Sequence, residues 1–187
     1  MEKNKQSPIF LIAMVGPVGS GKSFIANILS NKLKAAHIRT DDIRVELRRQ
    51  GRSYSRAYTI ARYRAKTVLE KKKSVISDFD AVLPGRRQEL KKIARNYGAK
   101  FILIHIKTPE KIILKRLRAH KYASRDLFKN SQEAIRVYFS RKKFHTRQLK
   151  IHPDFVINNA RPLEPQIQKI VKKLKSLQNL HGPLAQW

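Results

Sequence analysis

The residues with the clearest chemical potential lie between positions 16 and 23. They read Gly-Pro-Val-Gly-Ser-Gly-Lys-Ser, which satisfies the spacing GxxxxGK[ST], and an apolar run over 9–15 leads into them. Glycines let the backbone curl so that its N–H groups face phosphates, and a helix that begins at Lys22 adds a positive dipole end. A chance glycine-rich turn is the alternative, but the strand before it and the helix after it argue against chance. The pattern predicts a nucleoside triphosphate site formed by Gly16, Gly19, Ser20, Gly21, Lys22 and Ser23.

Two of these residues have specific roles in such a site. The Lys22 ammonium group would reach the β- and γ-phosphates, and the Ser23 hydroxyl would ligate Mg²⁺. ATP and Mg²⁺ are therefore the expected cofactors.

The elements that must position this loop follow from the hydrophobic pattern. Apolar runs typical of strands alternate with segments of helical periodicity, which predicts an α/β fold with a parallel sheet covered on both faces. We expect the three-layer fold of P-loop NTPases: a five-stranded, mostly parallel sheet with helices on both faces and a helical lid. The predicted strands are 9–15, 36–39, 74–78, 101–106 and 154–158; the predicted helices include 22–34, 55–71, 86–96 and 165–180. One domain would span 1–187, with the lid at about 115–131 and a short tail at about 181–187.

Ligands of an open parallel sheet lie over the carboxyl ends of its strands. Polar segments follow the predicted strands there: Thr40-Asp41-Asp42, Asp78-Phe79-Asp80 and Thr108-Pro109-Glu110. Local explanations compete with functional ones, because aspartates also cap helices and form turns. Of the first pair, Asp42 is the expected cap. Thr108 is expected to cap the helix that follows it, with Pro109 in the first turn.

The charge of the chain is its other unusual property. It has 42 Lys and Arg against 13 Asp and Glu, a formal net charge of +29. Such an excess favours an anionic partner, single-stranded nucleic acid among the candidates, although a generally basic proteome would explain it too. The chain has no cysteine, which excludes disulfides and thiolate metal sites. No apolar run is long enough for a membrane span and no signal peptide is recognisable, so we expect a cytoplasmic protein.

Four segments together resemble the P-loop kinase family that includes the polynucleotide 5′-hydroxyl kinases. They are the phosphate loop, the segment RTDDIR over 39–44, Ile76-Ser77-Asp78 ahead of Gly85-Arg86-Arg87, and Thr108-Pro109-Glu110 ahead of Lys115-Arg116. Zeta-type toxins and small-molecule phosphotransferases are related members of that family. The resemblance extends over about residues 9–175.

The resemblance implies roles on the acceptor side. Asp41 would take the proton from the acceptor hydroxyl, since that oxygen must lose it as the bond to phosphorus forms. Arg44, one helical turn later, would hold the acceptor. Asp78 would help to bind Mg²⁺, together with Ser23, or orient the acceptor, and Arg86 and Arg87 would contact acceptor phosphates.

The resemblance also implies a mobile lid that brings cations to the transferred phosphoryl group. Arg116 matches the first lid arginine. The chain departs from the pattern four residues later, where His120 stands in place of a second arginine. Either Arg118 or Arg125 substitutes for it, or the second contact is weaker. Asn159 and Arg161, after the last strand, would lie near the adenine.

The function predicted from these residues is an ATP-dependent phosphotransferase that acts on a hydroxyl group, with the 5′-hydroxyl of a polynucleotide as the preferred acceptor. A small-molecule or nucleotide kinase of the same fold is the alternative. A nucleic-acid-binding P-loop NTPase without an acceptor is the second alternative. An aminoglycoside-like cationic acceptor is disfavoured, because so positive a site would repel it.

Overall fold

Five short apolar segments form a single parallel sheet in the computed structural model, which describes residues 8–79, 81–148 and 151–180. The strands are β1 (Ile9–Val15), β2 (Ala36–Arg39), β3 (Val75–Asp78), β4 (Ala99–Lys107) and β5 (Phe155–Asn158). Their order is β2-β3-β1-β4-β5, and every adjacent pair is parallel. The central strand β1 is buried along its whole length, as expected of an apolar run covered on both faces.

Helices cover both faces of this sheet, so the predicted fold class is confirmed. The helices of the described chain are α1 (Lys22–Leu33), α2 (Thr40–Arg49), α3 (Ala57–Glu70), α4 (Pro84–Asn96), α5 (Glu110–Ala119), α6 (Ser131–Gln148) and α7 (Leu163–Leu180), with a 3₁₀ turn at Tyr54–Arg56. One face packs Leu11 and Ala13 of β1 against α2, α3 and α4. The other packs Phe10 and Ile12 against α1 and α7.

The lid is formed by α5, α6 and the loop 120–130 between them. A separate small apolar cluster joins the two helices, with Leu117 of α5 and Tyr138 of α6 both buried in it. Val18 of the phosphate loop packs against the same cluster, which attaches the lid to the loop that it covers.

Two predicted helix caps are wrong. Helix α2 begins at Thr40 with Arg39 as its N-cap and no side-chain cap bond, so Asp42 lies inside the first turn and pairs with Arg39 instead. Helix α5 has Pro109 as its N-cap, because the Thr108 hydroxyl donates to the carbonyl of Ser20. For Asp42 the competing partner is local, three residues earlier in the chain, whereas for Thr108 it is a tertiary contact 88 residues away.

Asp80 and the predicted tail at about 181–187 lie outside the described residues. Across the residues that are described, no helix has the length and apolar character needed to cross a membrane.

Candidate active site

The phosphate loop is shaped by close contacts that leave no room for side chains. Gly21 is the N-cap of α1 and has a φ of 91°, a conformation that L side chains rarely adopt. A Cβ atom on Gly21 would lie 2.4 Å from Nδ2 of Asn159, and one on Gly19 would lie 3.0 Å from Leu117. Glycine is therefore required here both by the backbone and by the packing of neighbouring elements.

Side chains from two other strand ends hold the loop in place through the Ser20 carbonyl. It accepts hydrogen bonds from the Thr108 hydroxyl after β4 (2.9 Å) and from the Asn159 amide after β5 (2.6 Å). Asn159 is buried, and its side-chain oxygen accepts a bond from Arg116 at 3.3 Å. The segments after β1, β4 and β5 thus meet at one backbone oxygen, and Asn159 connects them to Arg116 of α5.

Lys22 and Ser23 are placed for phosphate and metal chemistry. The Lys22 ammonium group donates to the carbonyls of Gly16 (2.8 Å) and Pro17 (2.9 Å), so it lies against the loop. The Ser23 hydroxyl donates to the Asp78 carboxylate at the end of β3. A hydroxyl and a carboxylate in contact form the hard oxygen donor set that Mg²⁺ prefers, and the remaining ligands would be waters and substrate phosphates.

No cluster of three or more His, Cys, Asp or Glu side chains that could hold a metal occurs in the described residues.

Two carboxylates in the first turn of α2, Asp41 and Asp42, pair with nearby arginines. Arg44 donates to Oδ1 of Asp41 at 2.6 Å, and Arg39 pairs with Asp42 at 3.0 Å. The Thr40 hydroxyl donates to the backbone carbonyl of Asp78 at 3.3 Å, which ties the start of α2 to the end of β3. These contacts bring Asp41 and Asp78 to the same edge of the sheet.

A cavity of about 550 Å³ connects these groups. Of the residues predicted for the site, those on its wall are Gly16, Gly19, Gly21, Lys22, Ser23, Asp41, Arg44, Asp78 and Arg116. The cavity also takes side chains that we did not predict, above all Arg48 on α2 and Glu133, Val137 and Arg141 on α6. The three residues on α6 are spaced four apart, and this spacing is the signal in the sequence that could have shown that they share one face of the helix.

Five predicted residues do not line the cavity. Ser20 and Asn159 are buried beneath the loop, and Arg161 is exposed beyond it. The Arg87 guanidinium turns inward and donates to the carbonyls of Ala81 and Val82, and burial lowers its pKa. Arg86 lies 4.5 Å from the centre of the Tyr58 ring. Both arginines therefore hold the start of α4 and its neighbours together in this structure, where the sequence suggested contacts with acceptor phosphates.

Histidines near the site differ in environment. Burial lowers the pKa of His37 on β2, against the opposing effect of the nearby Asp78 carboxylate. In the lid loop, Nε2 of His120 lies 3.2 Å from the Asp126 carboxylate, which also accepts a bond from the amide of Ala123. Burial raises the pKa of Asp126, but these two hydrogen bonds outweigh it and leave the pKa below its usual value. His120 thus belongs to the internal structure of the lid loop.

The chain matches the model of the family described as AAA domain (AAA_33) over residues 11–143. It is 30% identical over 174 residues to a shikimate kinase of Enterococcus faecalis, in an alignment that covers 88% of this chain and 98% of the relative.

Solved structures show the same fold. A putative kinase of Chloroflexus aurantiacus superposes with a TM-score of 0.59 at 17% identity, over 91% of this chain and 96% of that one. The APS kinase of Mycobacterium tuberculosis superposes with a TM-score of 0.57 at 18% identity, over 90% and 99% of the two chains. With a complete phosphate loop, a lid and these relatives, the chain belongs to the AAA domain family of P-loop proteins and is an ATP-dependent kinase.

Proposed function

We propose that this kinase transfers the γ-phosphate of ATP to a hydroxyl group of a small anionic molecule. The observation that carries the proposal is a single cavity whose wall includes the phosphate loop, Asp41 and Arg44. The cavity volume of about 550 Å³ is within the range of small-molecule sites.

The charge of the cavity favours an anionic acceptor. The described residues that line it include eight Lys and Arg side chains and five carboxylates. The carboxylates of Asp41 and Asp42 are neutralised by their own arginines. Arg125 and Arg141 add positive charge from the lid and from α6. An acceptor with a carboxylate or phosphate would gain charge-assisted hydrogen bonds there.

Two aromatic side chains indicate that the acceptor also has an apolar face. Phe24 is 62% exposed and Tyr54 is 43% exposed, and both line the cavity. Large apolar side chains left open in a cavity commonly contact a ligand. A compact ring compound with an acidic group would contact the charged side chains through its acidic group and the two aromatic side chains through its ring.

The relatives favour a small molecule over a polynucleotide. The Enterococcus relative is named as a shikimate kinase, and shikimate is a small hydroxy acid. The polynucleotide acceptor, favoured by the resemblance of residues 39–44 and by the net charge of +29, is therefore the second candidate.

In the proposed reaction Asp41 is the general base. Arg44 fixes one of its carboxylate oxygens by the 2.6 Å bond, which orients the carboxylate toward the cavity. Lys22, which donates to the carbonyls of Gly16 and Pro17, would exchange these bonds for bonds to the phosphates of the nucleotide. Mg²⁺ held by Ser23 and Asp78 would supply neutralisation of the phosphate charge.

Arg116 would stabilise the charge that builds on the transferred group. Its Nη1 atom would lie only 3.4 Å from a Cβ placed on Gly21, so the guanidinium sits directly over the phosphate loop. The bond to the Asn159 oxygen holds it there before the substrate binds.

A transfer assay tests the proposal. The protein is incubated with γ-labelled ATP and Mg²⁺, and with shikimate, gluconate, APS, a 5′-hydroxyl oligonucleotide or no acceptor in parallel. We expect label on one of the small acids. Asp41→Asn should reduce that transfer by about 10²–10⁴-fold, because it removes the general base. The matched control Asp42→Asn changes the same charge one residue away and should stay within a few-fold.

The other outcomes decide against the proposal. Label on the oligonucleotide would establish the polynucleotide acceptor, and affinity for that strand should then fall steeply with salt. Free phosphate alone, unchanged by Asp41→Asn, would indicate an NTPase without an acceptor.

A further inference from the structure

Arg48, in the last turn of α2, makes a set of contacts that the phosphotransfer chemistry does not use. Its guanidinium donates to the carbonyls of Ser124 (2.8 Å), Asp126 (2.8 Å) and Leu127 (3.2 Å), all in the lid loop. One side chain from the acceptor side of the cavity thus binds three backbone oxygens of the segment that covers it.

The lid loop is organised so that these oxygens are available. The Asp126 carboxylate is occupied by the amide of Ala123 and by His120, and the Tyr122 hydroxyl donates to the carbonyl of Leu117. Phe128 packs against the apolar cluster between α5 and α6. Asp126 and Tyr122 are thus bonded within the lid and its adjoining helix, and the carbonyls of Ser124, Asp126 and Leu127 accept from Arg48.

The position of Arg48 on α2 gives this contact a functional setting. Asp41, Arg44 and Arg48 follow one another at intervals of three and four residues, so they share one face of the helix, and all three line the cavity. The lid loop lines the same cavity through His120, Arg125 and Lys129. The helix that carries the candidate base therefore also holds the lid.

We propose that Arg48 is a positioning residue that holds the lid loop over the nucleotide cavity. Its planar fork reaches three carbonyls at once, a geometry that the single ammonium group of lysine reproduces only in part. Without these bonds the lid loop loses its connection to α2 and spends less time in the position that covers ATP. The proposal depends on the kinase activity and not on the identity of the acceptor.

Hydrogen exchange tests the contact directly in the full chain. Exchange of the amides at 121–130 is compared in the wild type, Arg48→Ala, Arg48→Lys and Arg49→Ala. We expect Arg48→Ala to speed exchange in this loop about tenfold or more, because three hydrogen bonds that oppose its opening are lost. Exchange in α1 should not change. Arg49→Ala is the matched control, since Arg49 is an exposed neighbour on the same helix and does not line the cavity.

Nucleotide affinity distinguishes positioning from a merely structural role. The dissociation constant of AMPPNP with Mg²⁺, measured by calorimetry, should rise about five- to tenfold in Arg48→Ala, because the covering state of the lid is less populated. Arg48→Lys should recover part of both losses, and it provides the test should the alanine variant fold poorly. The proposal is overturned if exchange at 121–130 is the same in Arg48→Ala and Arg49→Ala. It is also overturned if AMPPNP binds all three variants as it binds the wild type.

Discussion

The two ends of the cavity are built by different physical means. At the nucleotide end, the loop is held by buried backbone contacts: the Ser20 carbonyl accepts two side-chain hydrogen bonds, and Gly21 packs directly against Asn159. At the acceptor end, half-exposed charged side chains pair with one another, as in Arg44 with Asp41 and Arg39 with Asp42.

This difference indicates which end of the cavity tolerates a change of side chain. Buried contacts at van der Waals distance tolerate almost no change of side chain, because interiors are close-packed. Surface ion pairs contribute little to stability, so their members can be exchanged at small cost to the fold. We infer that the nucleotide end fixes the common chemistry of the fold, and that the acceptor end sets its specificity.

The largest expected effect comes from replacing Gly21, the glycine that packs against Asn159. Gly21→Ala would place a methyl group within 2.4 Å of a buried amide at a φ of 91°. We expect it to lower the free energy of unfolding by about 2–4 kcal/mol and to abolish ATP binding. Denaturant unfolding and calorimetry with ATP would measure the two effects.

Gly85→Ala is the control for this substitution. Gly85 lies in the first turn of α4, and nothing lies within 4 Å of a Cβ added there. Because alanine favours a helix more than glycine does, the free energy of unfolding should rise, by less than about 1 kcal/mol. Equal losses in the two variants would contradict the steric account of the nucleotide end.

A smaller effect is expected when one polar side chain is removed at each end of the cavity and the two losses of stability are compared. Asn159→Ala leaves the Ser20 carbonyl with one partner fewer in a buried setting and should cost about 1–3 kcal/mol. Asp42→Ala removes only an exposed ion pair and should cost less than about 1 kcal/mol. Urea unfolding of both variants checks the order, and a larger loss in Asp42→Ala would reverse our interpretation of the two ends.

The smallest effect concerns the base of the lid. Hydrogen bonds from Lys142 and from the Tyr138 hydroxyl (2.8 Å) lower the pKa of Glu110 at the start of α5. A carboxyl group whose pKa is lower in the folded state than its ordinary 4.5 stabilises the fold above that pH, and this contribution is lost as the pH falls through the folded value.

Glu110→Gln should therefore make the free energy of unfolding less dependent on pH in the acid range, and should lower it slightly at neutral pH, where the ionised carboxylate contributes its stabilisation. Tyr138→Phe should reduce the dependence in part, because one of the two hydrogen bonds remains. Urea unfolding between about pH 5 and 3 measures this pH dependence of the free energy of unfolding. An unchanged acid slope in Glu110→Gln would show that this contact does not stabilise the lid.

The elements that the sequence predicted best are those with a strong local pattern. The buried run at β1 and the phosphate loop after it were located to the residue, and helix α7 was found within two residues. The contacts of Thr108 and Asn159 with Ser20 were not predicted, because their partners lie 88 and 139 positions away along the chain. Arg87, which we predicted on the acceptor side, donates to the carbonyls of Ala81 and Val82 only six and five residues away, and such an inward turn of a side chain leaves no mark in the sequence pattern.

By itself the sequence determined the chemistry at the phosphates: glycine spacing, a lysine and a serine suffice to specify a triphosphate cradle, because backbone geometry and helix polarity are local properties. The tertiary structure alone decided which groups distant in sequence meet. It brought the end of α2 to the lid loop through Arg48, and Asp78 to Ser23. Long-range packing sets the distances between these groups. They depend on how whole helices and strands are arranged, and a local sequence pattern does not encode that arrangement.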